Sequence, residues 1–343
     1  MKKKVYGVMG VLEGMKYSPV GNHSAIQVCR WARNSLNNKG VCWKEKFYGI
    51  ESHRCCEFSP AVMWCENQCL HCWRPIEMNL GSCLNKDEID DPKEIIDKIV
   101  EARKKLMYGF KGNKKVDAKK FAEALEPTLF TMSLSGEPTI YPRLAEMIKE
   151  IRRRRAVSFL VTNGQNPKAI AKLEREDSLP TQLTVSMNAP NEKLFKIWHR
   201  STNKDSWERF NETLDLMKKL KGKTRRALRM TLVKKGKDKK NSKENQFNDI
   251  SNMEDENVAE YAKLIKKAQP DFVHVKGFMS VGYARDRMGY DKMPWHKEVR
   301  EFANKLVNVL ADDGYKVLDE EERSCVVVLG KNKKDMKIDW KKV

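Results

Sequence analysis

Apolar, β-branched runs recur along the chain at 62–64, 129–134, 158–162, 183–187, 228–233 and 272–275, and they predict six strands. Between them the apolar positions switch to helical spacing. Ile95, Ile96, Ile99, Val100 and Leu106 form one such stripe, Leu144, Met147, Ile148 and Ile151 a second, and Trp207, Phe210, Leu214 and Met217 a third. Alternating strand and helix patterns imply βα units around a parallel sheet, so the expected fold is α/β, a partial barrel of six βα units. Pro294 opens a last helix carrying Val299, Phe302, Leu306, Val309 and Leu310, and an apolar strand at 325–329 follows Gly314. Three parts are expected: an N-terminal extension over 1–57, the barrel over 58–290, and a short C-terminal α/β extension over 291–343. Residues 234–252 lack apolar periodicity and predict a polar insertion. No solenoid repeat is present.

Charge and cysteine content narrow the chemistry. There are 67 Lys and Arg against 47 Asp and Glu, a net +20 that favours a polyanionic partner, nucleic acid first, over simple solubilisation. The basic runs 152–155 and 218–226, with Lys234 to Lys243, are candidate phosphate contacts around the barrel mouth. Trp198, His199 and Arg200 are a stacking or phosphate-contact candidate, although Trp198 fits a helix face equally well. No membrane span or cleavable leader is apparent, since 5–12 is broken by Gly7 and Gly10, and a cytoplasmic location is expected. Eight of the nine cysteines lie between Cys29 and Cys83. In a reducing compartment that concentration argues for metal or redox chemistry rather than disulfides.

Cys65, Cys69 and Cys72 have the spacing C-x3-C-x2-C, which nine cysteines in 343 positions produce by chance less than about once in a hundred. Three thiolates on one tight loop suit a 4Fe-4S cluster with one iron left open to chelate a cofactor or substrate. Structural zinc, completed by His53 or His71, is the competing reading. Three further segments end predicted strands, where barrel sites are built: Ser135-Gly136-Glu137, Thr162-Asn163 and Ser186-Met187-Asn188. Cys29, Cys42 and Cys55 are evenly spaced and hint at a second metal site, with Cys56 a rival ligand.

The C-x3-C-x2-C run resembles that of the radical SAM superfamily, in which the open iron binds S-adenosylmethionine (SAM) and reduction releases a 5′-deoxyadenosyl radical. Ser135-Gly136-Glu137 resembles the superfamily's Gly-Gly-Glu segment, which holds the cofactor's amino group; Ser135 departs from it. Together with Cys29, Cys42 and Cys55, the pattern is similar to the tRNA 4-demethylwyosine synthase family, over most of the chain. That resemblance implies a radical SAM partial (β/α)6 barrel and two 4Fe-4S clusters. The first would sit on Cys65, Cys69 and Cys72, with SAM among Ser135, Gly136, Glu137, Thr162, Asn163, Ser186 and Asn188. The second would sit on Cys29, Cys42 and Cys55, the family spacing selecting Cys55 over Cys56, and would bind pyruvate. Lys44 would form a Schiff base with it, Lys46 being the alternative; such a lysine needs a depressed pKa. The implied reaction, of carbon-carbon lyase class, converts N1-methylguanosine at position 37 of phenylalanine tRNA, with pyruvate, into 4-demethylwyosine. No flavodoxin-like domain precedes Cys29, so the archaeal type is expected, a monomer fed by an external donor such as ferredoxin or flavodoxin. Cys83 and Cys325 are expected to be buried thiols. A different radical SAM enzyme, or a non-catalytic metal-containing RNA-binding protein, are the alternatives.

Overall fold

The computed structural model describes residues 2–236 and 249–343, so most of the expected polar insertion lies outside the described residues. Ten strands form one sheet: β1 (Ser18–Val20), β2 (Ser24–Gln27), β3 (Cys55–Ser59), β4 (Leu129–Met132), β5 (Val157–Thr162), β6 (Gln182–Ser186), β7 (Arg225–Leu232), β8 (Phe272–Gly277), β9 (Lys316–Glu321) and β10 (Val326–Gly330). Their order is β1-β2-β3-β4-β5-β6-β7-β8-β10-β9. From β3 to β8 every pairing is parallel, which gives the six-stranded partial barrel. Antiparallel β2 and β10 cover its two open edges.

The first barrel strand is Cys55–Ser59 and not 62–64 as the apolar run suggests. Pro60 has no N–H to continue the ladder, and Met63 adopts φ +70°, so 61–64 turn away from the sheet. The expected boundary between residues 57 and 58 therefore falls inside β3.

Strand alternation divides the apolar residues between two cores. Cys56, Phe58, Phe130, Met132, Leu160, Leu183, Val185, Leu228, Met230, Val273 and Val275 face outward, beneath the covering helices, in the large core. Leu129, Val157, Phe159, Ala227 and Phe272 face the lumen. There Phe47 and Tyr48 of the helix Trp43–Tyr48, with Met336 and Ile338, join them and plug the end of the barrel at which the strands begin. The opposite, C-terminal end stays open. Asp91 caps the longest covering helix, Pro92–Tyr108, by accepting from the N–H groups of Lys93 and Glu94. No helix among the described residues is long and apolar enough to cross a membrane.

Candidate active site

The loop after β3 carries Cys65, Cys69 and Cys72, and its backbone is fixed from several sides. Cys65 N–H donates to Gly81 O (2.8 Å), Gln68 N–H to His199 O (2.8 Å) and Leu70 N–H to Trp198 O (3.0 Å). The Arg287 guanidinium donates to the carbonyls of Leu70, Cys72 and Arg74. Polar groups also surround the sulfurs: Asn67 N–H lies 3.4 Å and Asn163 Nδ2 3.6 Å from Cys65 Sγ, and His199 Nδ1 lies 3.2 Å from Cys69 Sγ. Burial pushes all three thiols up, with Cys69 adding to the rise at Cys65 and Cys72 to that at Cys69. Burial, reinforced by His71, pushes His199 down to about 3, so its ring is neutral at neutral pH.

The donor set fits a cluster better than a single ion. Tetrahedral zinc with Zn–S of about 2.3 Å brings its sulfurs to about 3.8 Å of each other. Among the described residues, the one trio of ligand atoms within 4.8 Å of one another is Glu51, His53 and Glu123, so the cysteine sulfurs stand wider. The two histidines proposed to complete a zinc site are engaged elsewhere, His53 with Glu123 (2.8 Å) and Ser35, His71 with Asn188 (3.1 Å).

Gly136 seats the next loop against this one. Its φ is +73°, and a Cβ there would lie 2.1 Å from Ala61 O and 2.7 Å from Trp64 O. Glu137 N–H donates to Trp64 O (2.7 Å). The Glu137 carboxylate then ties its own turn to the end of β5: Oε1 accepts from Thr139 N–H (3.1 Å), Thr139 Oγ1 (2.7 Å) and Thr162 Oγ1 (2.7 Å), and Oε2 from Asn163 N–H (2.7 Å). Burial, reinforced by Glu66, pushes it up to about 7. The sequence suggested a carboxylate offered to an ammonium; the structure spends most of its acceptor capacity on fixing Thr162 and Asn163. Gly136→Ala is expected to cost about 3 kcal/mol or more. A thermal melt should show a midpoint lower by roughly 5 °C; an unchanged midpoint would mean that the loop contact is unimportant.

Cys29 and Cys42 stand at the N-termini of the helices Arg30–Leu36 and Trp43–Tyr48, and Cys29 Sγ accepts from Ala32 N–H (3.4 Å). Cys55 begins β3 and faces the lumen, its sulfur 3.7 Å from Thr131 Oγ1. The three thiols are close enough for Cys55 and Cys42 to raise Cys29 further, after burial and Glu57. Cys56, one residue on, points into the outer core, so the two-residue period of the strand separates the rival ligands. Lys44 Nζ lies 3.4 Å from Thr131 Oγ1 and 5.8 Å from the Phe159 ring centre. Lys46 faces away, with its Nζ 3.3 Å from Asp319. The expectation of a depressed Lys44 is not met. Burial lowers it, but Cys55, Cys42 and Glu57 outweigh burial and hold the ammonium above its ordinary value.

One cavity of about 600 Å³ lies at the C-terminal end of the barrel; of Cys29, Cys42 and Cys55, Cys29 lines it, and Lys44 lies outside its lining. Cys29 and Glu57 line one part of it, Cys65, Cys69 and Cys72 another, and Ser135, Gly136, Glu137, Thr162, Asn163, Ser186 and Asn188 complete its wall. Glu57, Arg229 and Lys276 also line it or border it, and sequence reasoning did not single them out. The available signal was a charged side chain at the lumen parity of an otherwise apolar strand.

Other expectations are redistributed. Trp198 is fully buried in the core and is closed to nucleic acid. Cys83 is exposed on an irregular loop rather than buried, whereas Cys325 is buried. The runs 152–155 and 218–226 precede β5 and lead into β7, at the end of the barrel away from the cavity. Arg153 pairs with Glu150 (2.7 Å), Arg154 with Asp97 (2.6 Å), and Arg152 donates to the Asp177 and Leu179 carbonyls. Replacing Arg152, Arg153 and Arg154 together with alanine is therefore expected to shift half-saturation by a structured nucleic acid less than about twofold, against the roughly tenfold effect of lost phosphate contacts, and a binding titration decides between them.

Residues 60–241 match the family model described as the radical SAM superfamily, and residues 267–331 the one described as wyosine base formation. The chain is 41% identical over 322 residues to the SAM-dependent tRNA 4-demethylwyosine synthase of Pyrococcus abyssi, covering 94% of this chain and 88% of the relative. It is 32% identical to that of Methanocaldococcus jannaschii, over 93% of this chain and 94% of the relative. A solved structure of TYW1 with a lysine-pyruvate adduct bound superposes with a TM-score of 0.78 at 29% identity, over 97% of this chain and 98% of that one.

Proposed function

We propose, from the premise that this chain belongs to the tRNA 4-demethylwyosine synthase family of radical SAM enzymes, that it converts N1-methylguanosine at position 37 of phenylalanine tRNA, with pyruvate, into 4-demethylwyosine. Membership makes it a radical SAM enzyme of wyosine-precursor formation, working with SAM and a 4Fe-4S cluster. The observation that carries the finer reading is the shared cavity, lined by Cys65, Cys69 and Cys72 and, from the other set, by Cys29. A methylated base and a two-carbon donor, held one at each set, meet there without crossing bulk water.

In this reading Cys65, Cys69 and Cys72 hold the cluster that binds SAM, which when bound and reduced supplies the 5′-deoxyadenosyl radical that takes hydrogen from the N-methyl group. Ser135, Gly136, Glu137, Thr162, Asn163, Ser186 and Asn188 shape the wall that orients SAM, with Glu137 fixing the Thr162 and Asn163 turn. Cys29 and Cys42 of the N-terminal extension, with Cys55 at the start of β3, hold a second 4Fe-4S cluster. Lys44 gives up a proton and attacks the pyruvate carbonyl, and loss of water leaves an imine; the lysine-pyruvate adduct in the TYW1 structure supports that role. Trp43, 4.8 Å from the His274 ring, helps keep solvent from the amine. The enzyme acts as a cytoplasmic monomer and takes electrons from an external ferredoxin- or flavodoxin-type donor.

The test is anaerobic reconstitution with iron and sulfide, followed by reductant, SAM, pyruvate and tRNA bearing N1-methylguanosine. Mass spectrometry of the digested nucleosides should show a two-carbon gain on that base. 5′-Deoxyadenosine without nucleoside conversion would remove the substrate assignment and leave the radical SAM chemistry standing.

A further inference from the structure

Arg229 stands within β7, where Leu228, Met230 and Leu232 pack outward into the apolar core. The two-residue period therefore turns Arg229 and Thr231 into the lumen, and both line the cavity. Register places Arg229 beside Ser186 of β6 and His274 of β8. The protein charges that act on it are Glu57 of β3, on the side of Cys55, and Cys72 of the other cysteine set. Among the described residues its guanidinium forms no hydrogen bond and no ion pair within 4.0 Å. Glu57 is occupied by Ser133, whose Oγ donates to it at 3.2 Å.

A half-buried guanidinium with its donors unfilled gains from an anion that enters beside it, and its planar fork matches a carboxylate through two parallel hydrogen bonds. Two carboxylates are available to this cavity, that of SAM and that of a 2-oxo acid. Position favours the second. Of the segments shaped for SAM, Ser135 to Glu137 and Thr162 to Asn163 follow β4 and β5, three and two strands from β7, and Ser186 and Asn188 alone adjoin it. Lys44, by contrast, lies on the side of Arg229: register puts Arg229 beside His274, whose ring packs 4.8 Å from that of Trp43, the residue before Lys44. A short 2-oxo acid carries its carbonyl and carboxylate on adjacent carbons, so it offers one group to an amine and the other to a guanidinium.

We propose that Arg229 is the carboxylate anchor of the cavity, gripping the carboxylate of a short 2-oxo acid while its carbonyl faces Lys44; this rests on the reading above that pyruvate is the second substrate. Arg229 is a binding and positioning residue for that substrate.

The test uses reconstituted holoenzyme, wild type beside Arg229→Gln and Arg229→Lys, compared at equal iron content. Borohydride trapping of radiolabelled pyruvate on the chain, without tRNA, reads the grip on the 2-oxo acid. SAM-dependent release of 5′-deoxyadenosine reads the grip on the cofactor. Arg229→Gln is expected to raise the pyruvate concentration for half-maximal trapping by about 10- to 100-fold, and Arg229→Lys by less, since a point charge remains without the fork. The shift in half-saturating SAM should be smaller than the pyruvate shift by at least about fivefold. An unmoved pyruvate requirement, or a SAM shift as large as the pyruvate shift, overturns the assignment. If Arg229→Gln fails to load iron, Arg229→Lys decides by the same two titrations. Wild-type enzyme that traps no pyruvate overturns the parent reading and this one together, whereas wild-type trapping with unaffected variants overturns this one alone.

Discussion

Replacement of Cys65, Cys69 and Cys72 together with alanine is expected to abolish reductive SAM cleavage and to remove about four of about eight iron atoms per chain. The effect should be complete because these thiols face the cavity together and all three are lost at once, while His199 beside them offers one nitrogen in place of three sulfurs. His53 and His71 already have partners, Cys56 is in the outer core and Cys83 is out on a surface loop. The loop itself should keep its course in the variant. Backbone hydrogen bonds from Gln68 and Leu70 to the helix Glu192–His199, together with those from Arg287, hold it without using the sulfurs. Iron analysis and chromatography of 5′-deoxyadenosine check both parts. Continued cofactor cleavage at any appreciable rate would refute the ligand assignment. The companion variant, with Cys29, Cys42 and Cys55 replaced, should lose a similar amount of iron from the other set, and an iron content equal to wild type would remove the second cluster.

Lys44→Met is expected to lower 4-demethylwyosine formation by at least ~10³-fold, the scale of losing a covalent nucleophile, while release of 5′-deoxyadenosine continues. Lys44→Arg should be almost as inactive. It keeps a cation among Cys55, Cys42 and Glu57, but a guanidinium is far less able than a lysine amine to give up a proton and attack a carbonyl. Comparing the two variants therefore separates nucleophile from counter-charge. If Lys44 served only to balance the surrounding negative charge, Lys44→Arg would retain most of the activity. Borohydride trapping of labelled pyruvate gives a second reading, and trapping that persists in either variant would point to another amine. Lys276, which burial pushes down to about 8, is the amine to test next.

Much of the site was legible because its chemistry depends on short-range spacing. Cys65, Cys69 and Cys72 occupy eight consecutive positions, and a loop that short brings its thiols together in almost any fold. Ser135, Thr162 and Ser186 could be placed at one rim because each ends an apolar run, and the ends of parallel strands share a rim. The misplaced first strand shows where that logic fails. The run at 62–64 is apolar because it packs beneath the cluster loop with Val8, Leu12, Tyr17 and Leu134, whereas β3 reads Cys-Cys-Glu-Phe-Ser and resembles no ordinary strand. Its lumen-facing positions serve the site, so function had removed the periodic signal.

Residue order by itself determined the six βα units, the parallel core of the sheet and the identity of the clustered thiols, because periodicity and local spacing are properties of the chain alone. Only the tertiary structure decided which side of each strand a residue serves. It sent Cys55 to the lumen and Cys56 to the outer core, buried Trp198, and put the arginine run 152–155 at the end away from the cavity. It also put Glu57 and Arg229, from strands far apart along the chain, on the wall of one cavity. The physical reason is one of range: a charge in a lumen acquires its meaning from neighbours supplied by other strands, and those neighbours are set by the closure of the sheet rather than by adjacency along the chain.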